Sequence, residues 1–416
     1  MSSTAVSYET LHQRFAESFQ RIADTAVHRE QQRELAFDAV RWLREAGFGT
    51  LRVPRALGGL GASIPQLFGL LIELGAADSN LPQIFRAHFG FVEGRLSSRD
   101  PVSQAHWLGK VVDHQLWGAA MAERSGTTGI TVALSPLEAG NEQAGWRLDG
   151  EKYYSTGTVY ADWIAAVALA GDDFVSVALP VTAEGVSVVD DWDGFGQRLT
   201  GSGTTRFEAV RVPNEHVIRR YKPDEVRAES YLTAYYQLFH LATLAGIAKA
   251  VLRDATAFVK SRTRAFGFPG EASPKDDPLV QRVIGRLSSL AWSAQTQVLA
   301  AAERVQQVFD AEQGGYAEEH HYTDAEVAAF QAQQIVIGQV LEATTLLFEV
   351  GGASATSENR RFDRHWRNAR TLASHNPAIY RERVLGNYHL NGVTPDQAWL
   401  AQQSTGNGVR DEASAV

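Results

Sequence analysis

The first hundred or so residues carry hydrophobic positions at helical spacing. Large apolar side chains recur there at steps of three and four residues: Leu11, Phe15, Phe19 and Ile22. This spacing places them on one face of a helix, which would be buried against a core. A segment that begins with a proline after Ser63 has the same character. The pattern predicts an N-terminal helical domain over residues 1–115.

The pattern changes at about residue 117 to one that is typical of β-structure. Val, Thr, Gly, Trp and Tyr become frequent, and these residues favour strands and the turns between them. Apolar segments predict strands over residues 162–170, 174–180 and 205–212. Residues 146–148 predict a further strand, followed by a hairpin turn at Asp149-Gly150. We therefore expect a middle β domain over residues 116–225.

The helical period returns after the β domain and continues almost to the end of the chain. Four long helices are predicted, over residues 231–264, 277–310, 323–351 and 378–386. Long helices joined by short loops are typical of a bundle, so we expect a C-terminal helical bundle over residues 226–416. Helices, then strands, then helices indicate an α+β protein and argue against a doubly wound α/β fold.

One segment within the bundle is long enough to raise the question of a membrane span. Residues 231–248 contain no formally charged side chain. The segment nevertheless carries Tyr, Gln, His and Thr side chains, which suit a helix buried in protein better than one in lipid. We expect no membrane partner. The polar N-terminus lacks a hydrophobic leader, so the expected location is cytoplasmic.

Composition and charge narrow the classes of function. The chain has 416 residues, a net charge of −9 and 44% hydrophobic residues, which are globular proportions. Without runs of Lys or Arg, an acidic protein is a poor ligand for nucleic acid. The absence of cysteine excludes disulfides and thiol catalysis. The side chains of residues 318–321 (EEHH) point in different directions on a helix, so no metal site is expected.

Common nucleotide and nucleophile motifs are missing from the sequence. It contains no GxGxxG between a strand and a helix, no GxxxxGK[ST] and no GxSxG. These absences leave a Rossmann site, a P-loop and a nucleophile elbow without support.

Several short motifs follow one another in a fixed order along the chain. They are residues 54–61 (PRALGGLG), 121–128 (MAERSGTT), 150–157 (GEKYYSTG), 196–205 (GQRLTGSGTT), 261–267 (SRTRAFG), the glycines 351–352 and 364–368 (RHWRN). The ordered set resembles the acyl-CoA dehydrogenase superfamily over almost the whole chain. The resemblance implies an N-terminal helical domain, a middle β domain and a C-terminal four-helix bundle, assembled as a homotetramer.

The resemblance implies a flavin between the β domain and the bundle. Aromatic cover and a hydrogen bond near the flavin N5 would come from Tyr153, Tyr154 and Ser155. Other groups would bind the rest of the cofactor: the hydroxyls of Ser125, Thr127 and Thr128, the phosphate-binding Arg262 and Arg264, and the pair Gly351 and Gly352. Each assignment has a structural alternative. The tyrosines would simply pack within the β domain, and the arginines would place favourable positive charge near the C-terminus of a helix.

Two departures separate the chain from the dehydrogenases of this superfamily. Residues 371–377 (TLASHNP) contain no carboxylate where those enzymes carry their base, and His375 lies there instead. Phe348 replaces a glutamine that helps to bind FAD. The segment is similar to the flavin-dependent monooxygenase branch best known from dibenzothiophene monooxygenase. That likeness implies reduced FMN, with FAD less favoured, supplied by a separate flavin reductase.

The monooxygenase resemblance also assigns roles to single residues. O2 would react with reduced flavin to give a C4a-hydroperoxyflavin, whose distal oxygen must be protonated. His88 and His375 would serve this proton transfer, because histidine titrates near neutrality. Ser155 would stabilise this adduct, while Phe91 and Trp192 would form an apolar wall for the substrate. A structural histidine is the alternative for either imidazole.

The expected substrate is a small apolar molecule. With no Cys and only two Met, the sulfur-poor composition favours an organosulfur compound and a role in desulfurisation. Three alternatives stay open: a flavin aromatic or N-hydroxylase of the same fold, an FAD-dependent acyl-CoA dehydrogenase, and a helical scaffold without flavin.

Overall fold

The structure, a computed structural model, describes residues 6–124, 130–222, 225, 230–263 and 273–404. Eleven α-helices lie in this part of the chain: α1 Tyr8–Gln32, α2 Phe37–Glu45, α3 Ile64–Ala77, α4 Leu81–Leu96, α5 Pro101–Val112, α6 Leu232–Ser261, α7 Pro278–Gly314, α8 Glu319–Leu346, α9 Asp363–Ala373, α10 Ala378–Asn391 and α11 Pro395–Ser404. Eight strands lie between the two groups of helices: β1 Trp117–Ala120, β2 Ala133–Glu138, β3 Asn141–Lys152, β4 Trp163–Ala170, β5 Asp173–Pro180, β6 Val186–Val188, β7 Thr205–Val212 and β8 Val217–Tyr221.

The N-terminal helices form as the apolar spacing predicts. All four apolar residues of the first predicted face on α1 are buried. Helix α3 begins with a capping box, in which Ser63 accepts from the backbone of Gln66 and Gln66 accepts from the backbone of Ser63. Pro65 in the first turn has no amide hydrogen that would need a partner.

The strands form one mixed sheet in the order β6-β7-β3-β2-β4-β5-β8, with β1 parallel to β4. The predicted strand over residues 205–212 coincides with β7. The predicted hairpin at Asp149-Gly150 is wrong, because β3 continues through both residues. Gly150 has φ +134°, and the register with β7 shifts there because two β7 residues, Glu208 and Ala209, lie opposite Asp149 in a β-bulge.

The C-terminal helices pack as a bundle, with α6, α7 and α8 each in contact with the other two and α3 against α6. Gly246 on α6 allows the close approach to α3, since a Cβ there would lie 2.6 Å from the backbone oxygen of Ile72. The uncharged part of α6 is buried in this packing. Within the described residues, no helix combines the length and apolarity needed to cross a membrane.

The observed order of helices, mixed sheet and helices confirms the predicted α+β fold class. The helical part ends at Val112 before β1 begins at Trp117, and β8 ends at Tyr221 before α6 begins at Leu232. Both predicted domain boundaries therefore fall in connections between elements.

A buried polar cluster joins the N-terminal helices to the bundle. Arg52 Nε donates to Glu93 on α4 over 2.6 Å, and Tyr231 and Tyr235 beside and within α6 donate to the same carboxylate over 2.7 and 3.3 Å. Glu93 is completely buried, and the Arg52 side chain is 4% exposed. Four side chains from three parts of the chain thus form a hydrogen-bonded cluster that is shielded from water.

Replacing Glu93 with Gln should destabilise the protein strongly. The change leaves the Arg52 guanidinium buried without its counter-charge, which costs about 3–5 kcal/mol in comparable buried pairs. Urea denaturation would measure the free energy of unfolding. The matched control is Glu73→Gln, since Glu73 pairs with the half-exposed Lys249 and should lose less than about 1 kcal/mol. Equal losses in the two variants would contradict the argument.

Candidate active site

A cleft of about 1770 Å³ opens between the sheet and the helices. The sheet side contributes residues from β1, β4 and β5 and from the connections after β3 and before β7. The helical side contributes one face of α4, the start of α6 and the end of α9 with the residues after it. Six carboxylates also reach its lining: Glu225, Glu312, Glu318, Glu319, Glu326 and Asp396.

Two aromatic side chains on the sheet side line the cleft. The rings of Tyr154 and Trp192 lie 6.0 Å apart at 63°. Tyr154 is half exposed and has φ +60°, in the left-handed region that bulky residues rarely adopt. Backbone held in such a conformation is common at binding sites. Of the two residues predicted to form the substrate wall, Phe91 on α4 also lines the cleft.

A chain of hydroxyl groups lies beside Tyr154. Thr156 Oγ1 is 2.7 Å from Ser202 Oγ, which is 2.6 Å from Thr200 Oγ1. Gln197 lines the same region and is 4% exposed, yet no residue in the described part of the chain hydrogen bonds to its Oε1. Its Nε2 donates to the backbone oxygen of Ser79, so the amide is fixed in place. The cleft therefore holds clustered hydroxyls and one unused acceptor.

Ser155 and Tyr153 lie behind this wall and do not line the cleft themselves. Ser155 is fully buried, and neither its Oγ nor the Tyr153 hydroxyl has a hydrogen-bond partner among the described residues. The Ser155 amide donates to the backbone oxygen of Gly203. Buried hydroxyls without partners are rare in folded proteins, and each needs an explanation.

His375 lines the cleft just after α9, where it is exposed to the interior of the cleft. Asn376 Nδ2 donates to Gln237 Oε1 over 2.8 Å, which leaves Asn376 Oδ1 to accept from His375 Nδ1 over 3.1 Å. Neutral His375 therefore carries its proton on Nδ1 and presents an unprotonated Nε2. The surrounding protein and the charge of Arg86 both hold the pKa of His375 below its ordinary value.

A second imidazole lies against His375. The ring centroids of His240 and His375 are 4.2 Å apart. His240 is buried on α6, and neither of its ring nitrogens has a partner. Burial lowers the pKa of His240 well below its usual range, and the charges of His375 and Arg86 lower it further. Both rings are therefore neutral at pH 7 in the protein as described.

Arg86 lines the cleft on α4 and has no counter-charge. Its Cζ lies 5.0 Å from the ring centroid of Tyr236, which also lines the cleft. Among the described residues, none forms a hydrogen bond or an ion pair with the Arg86 guanidinium. Burial raises the pKa of Tyr236 to about 12, although the charge of Arg86 acts in the opposite direction. Tyr236 thus keeps its proton at neutral pH.

The structure does not bring His88 to the cleft. His88 is 1% exposed; its Nε2 donates to the backbone oxygen of Gly49 over 2.8 Å, and its Nδ1 accepts from the backbone amide of Trp117 at 3.4 Å. Burial lowers the pKa of His88 to about 4. Both nitrogens are engaged in joining α4 to its neighbours, which is the structural alternative considered for this residue.

Among the predicted cofactor-binding residues, Arg262 lies beside Gly351 and Gly352, apart from the residues that line the cleft. Arg262 follows α6, and its Nη1 donates to the backbone oxygen of Val350 over 2.7 Å, directly before Gly351 and Gly352. A Cβ on Gly351 would lie 2.1 Å from the ring of Phe258, so the position requires glycine. Their role in binding phosphate stays a prediction. Four further predicted residues, Ser125, Thr127, Thr128 and Arg264, lie outside the described residues.

The lining fits a flavin ring. An isoalloxazine ring needs a flat slot with aromatic cover and hydrogen-bonding groups for its polar edge. Tyr154 and Trp192 supply the cover, and the hydroxyls beside Thr156 supply donors and acceptors. Gln197 lines the cleft, and its unpartnered Oε1 is a group whose hydrogen bond a flavin edge would complete.

Comparison with known proteins gives the family. The model of the acyl-CoA dehydrogenase C-terminal domain matches residues 238–378. A relative from Pseudomonas putida, the probable FMNH2-dependent monooxygenase SfnC, is 30% identical over 90% of this chain and 93% of its own. Dibenzothiophene monooxygenase of Mycolicibacterium goodii is 28% identical over 89% of this chain and 91% of its own. The chain belongs to the flavin-dependent monooxygenase branch of the acyl-CoA dehydrogenase superfamily.

A solved structure agrees with this assignment. The monooxygenase is similar to TdsC from Paenibacillus sp. A11-2 in complex with FMN and indole, with a TM-score of 0.83 and 27% identity over 93% of this chain and 99% of TdsC. The predicted superfamily, fold and enzyme class are confirmed. The prediction of FMN as the flavin agrees with SfnC and TdsC, which are described with FMNH2 and FMN.

Several residues of the cleft were not predicted as site residues. Arg86 and His88 are two positions apart, so they lie about 200° apart around a helix and only one can face the cleft. That spacing was a usable signal, since the cleft face of α4 also includes Gly90 and Gly94. The contact between His240 and His375 and the cluster of hydroxyl groups each bring distant segments of the chain together. No pattern within a short stretch of sequence predicts such contacts.

The buried His88 should make the protein less stable as the pH falls. The pKa of His88 is about 4 in the folded protein and about 6.5 when unfolded, so below pH 6.5 only the unfolded chain gains this proton. Between pH 6.5 and 4 the loss from this residue is about 3 kcal/mol. His88→Gln should flatten the dependence of unfolding free energy on pH across that window. His320→Gln at the surface is the control, and an unchanged slope for His88→Gln would refute the assignment.

Proposed function

We propose that this monooxygenase uses reduced FMN and O2 to transfer one oxygen atom to the sulfur of a small organosulfur compound. The observation that carries the proposal is the cleft, which offers an imidazole and no carboxylate in the segment between α9 and α10. An acyl-CoA dehydrogenase needs a carboxylate base at that place. The named activity of the dibenzothiophene monooxygenases, which match 89% of the chain, supports sulfur as the acceptor.

The protein's own groups have separate tasks in this proposal. When bound, reduced FMN would supply the chemistry of O2 activation and of oxygen transfer. Tyr154 and Trp192 would cover the ring, and Gln197 would hydrogen bond to its polar atoms. A hydrogen bond from Ser155, which lies directly behind this wall, is what the family resemblance implies. His375 would accept a proton at Nε2 and return it, since Asn376 keeps the other ring nitrogen protonated.

The cleft must also keep water away from the bound oxygen. Phe91 stacks on Trp117 at 4.5 Å and presents an apolar surface from α4. A flavin that arrives already reduced requires a reductase, and the sequence has no nicotinamide-binding motif of its own. A separate flavin reductase is therefore part of the proposal.

Rapid mixing of the protein with photoreduced FMN and O2 tests the reaction. We expect a long-lived absorbance from the oxygenated flavin and an oxidised product from an organic sulfide. His375→Ala should lower product formation about a hundredfold or more, within the range for loss of a positioned acid or base. Rapid release of peroxide without product would contradict the proposal, as would a protein isolated with tightly bound FAD that acyl-CoA bleaches.

Ser155→Ala should shorten the lifetime of the oxygenated flavin. The variant removes a buried hydroxyl without a partner among the described residues. The family resemblance implies a hydrogen bond from this hydroxyl to the flavin, which would be lost while the packing changes little. Stopped-flow decay measures the lifetime directly. Ser135→Ala on an exposed position of β2 is the matched control. Equal decay in the parent and in Ser155→Ala would remove Ser155 from the site.

We also propose a homotetramer, as the family resemblance implies. Trp292 on α7 is 72% exposed and Ile335 on α8 is 50% exposed in the single chain, and apolar side chains of this size are often covered by a subunit interface. Light scattering during gel filtration should give four times the mass of the chain. Trp292→Glu should lower the assembly state, and a monomeric parent protein at micromolar concentration would contradict the proposal.

A further inference from the structure

The helical wall of the cleft carries a positive charge that nothing in the described chain neutralises. Arg86 has no acceptor for its five N–H groups within the described residues, and its only charge-related contact is the ring of Tyr236 at 5.0 Å. A charge that is partly withdrawn from water without a partner is unfavourable. Charged side chains in such surroundings are concentrated at functional sites, where a ligand can supply the missing partner.

The side chains next to Arg86 in the cleft are polar and carry no negative charge. His375 and Tyr236 line the cleft with Arg86, and the charge of Arg86 is felt at both His375 and His240. None of the carboxylates that line the cleft forms an ion pair with Arg86 in the part of the chain that the structure describes. The Arg86 guanidinium and the Tyr236 hydroxyl thus offer N–H and O–H donors to a ligand, and such charge-assisted donors bind anions.

The local packing holds this arrangement in place. Tyr236 lies against Gly90, one turn after Arg86 on α4, and a Cβ at Gly90 would come within 2.0 Å of the Tyr236 hydroxyl. The missing side chain thus allows the tyrosine ring to lie under the guanidinium. Gln83, on the same face, is fixed by its bond to Thr243 Oγ1 over 3.0 Å. The donors are positioned before any ligand arrives.

We propose that Arg86 and Tyr236 form an anion subsite that binds an oxyanion group of the substrate beside His375. The inference rests on the proposed function and specifies its substrate class. A guanidinium presents two parallel N–H groups to a two-oxygen anion, and the tyrosine hydroxyl adds a third donor. The substrate is thus an anionic organosulfur compound rather than the purely apolar one that the sequence predicted.

The chemistry favours a sulfinate among the sulfur oxyanions. A sulfinate sulfur retains a lone pair that can accept an oxygen atom, whereas a sulfonate sulfur has none. The balanced reaction is R–SO2⁻ + O2 + FMNH2 → R–SO3⁻ + FMN + H2O, in which sulfur is oxidised, one oxygen atom forms the new S–O bond and the other leaves as water. Both electrons that reduce the second oxygen atom come from the flavin.

Reduced flavin is itself an anion, so it is the other source of negative charge. The hydroxyl cluster of Thr156, Thr200 and Ser202 lies on the sheet wall, whereas Arg86 projects from α4 in the opposite, helical wall. This placement favours the substrate as the partner of Arg86. The experiment therefore measures substrate and flavin separately.

Calorimetric titration with benzenesulfinate and with neutral methyl phenyl sulfone tests the subsite, because the two probes share a ring and differ in charge. The parent protein should bind the sulfinate about tenfold or more tightly than the sulfone, as expected for a charge-assisted contact. Arg86→Met should abolish this preference, Arg86→Lys should keep part of it, and Tyr236→Phe should reduce it. Arg95→Met is the matched control, since Arg95 lines the same cleft on the same helix and should leave the preference unchanged.

The titrations are made with the flavin-free protein and repeated with reduced FMN without oxygen. Loss of reduced-FMN affinity in Arg86→Met with an unchanged sulfinate preference would overturn the proposal in favour of the flavin. An equal preference in Arg86→Met, Arg86→Lys and the parent would also overturn it, and circular dichroism of each variant excludes misfolding as the cause. A charge-dependent preference without oxygenation would leave the subsite standing and reject the proposed function instead.

Discussion

The placement of helix α4 depends on the buried Glu93 carboxylate. Arg52 from the N-terminal region and Tyr231 and Tyr235 at the start of α6 all donate to it. Because the contacts come from both sides, α4 cannot rotate or slide without exposing a buried charge. Other residues of α4, including Arg86 and Phe91, line the cleft. The interior ion pair therefore sets where the functional side chains lie.

A second set of polar contacts fixes the other side of the cleft. Asp254 on α6 accepts from Arg364 and His365 at the start of α9, at 2.6 and 2.9 Å. Further along α9, Asn368 accepts from the backbone amide of Gln197 over 2.6 Å, which ties the β domain to the bundle. The helix then ends close to His375. The imidazole is thus carried on a segment anchored to both α6 and the sheet region.

Local pattern predicted the elements better than it predicted the site. Strand β7 was predicted to the residue from its apolar character, whereas Gly150 suggested a turn although it lies within a strand that is paired on both sides, next to a bulge of β7. The segment around His88 was rightly singled out, but the histidine is bonded to two backbone groups and Arg86 faces the cleft instead. Such choices depend on helix orientation and on contacts between distant segments, which spacing along the chain does not encode.

Gly90 affects two properties of the cleft at once: the space within it and the position of the Tyr236 ring relative to Arg86. A larger side chain at this position would narrow the space and at the same time push the Tyr236 ring away from the guanidinium. Selection for a narrower cleft would therefore have to act elsewhere, for example at Gly94, where an added methyl group meets no atom within 4 Å. On one face of α4, Gly90 is therefore constrained by its contact with Tyr236, whereas Gly94, one turn later, can be replaced by a larger residue.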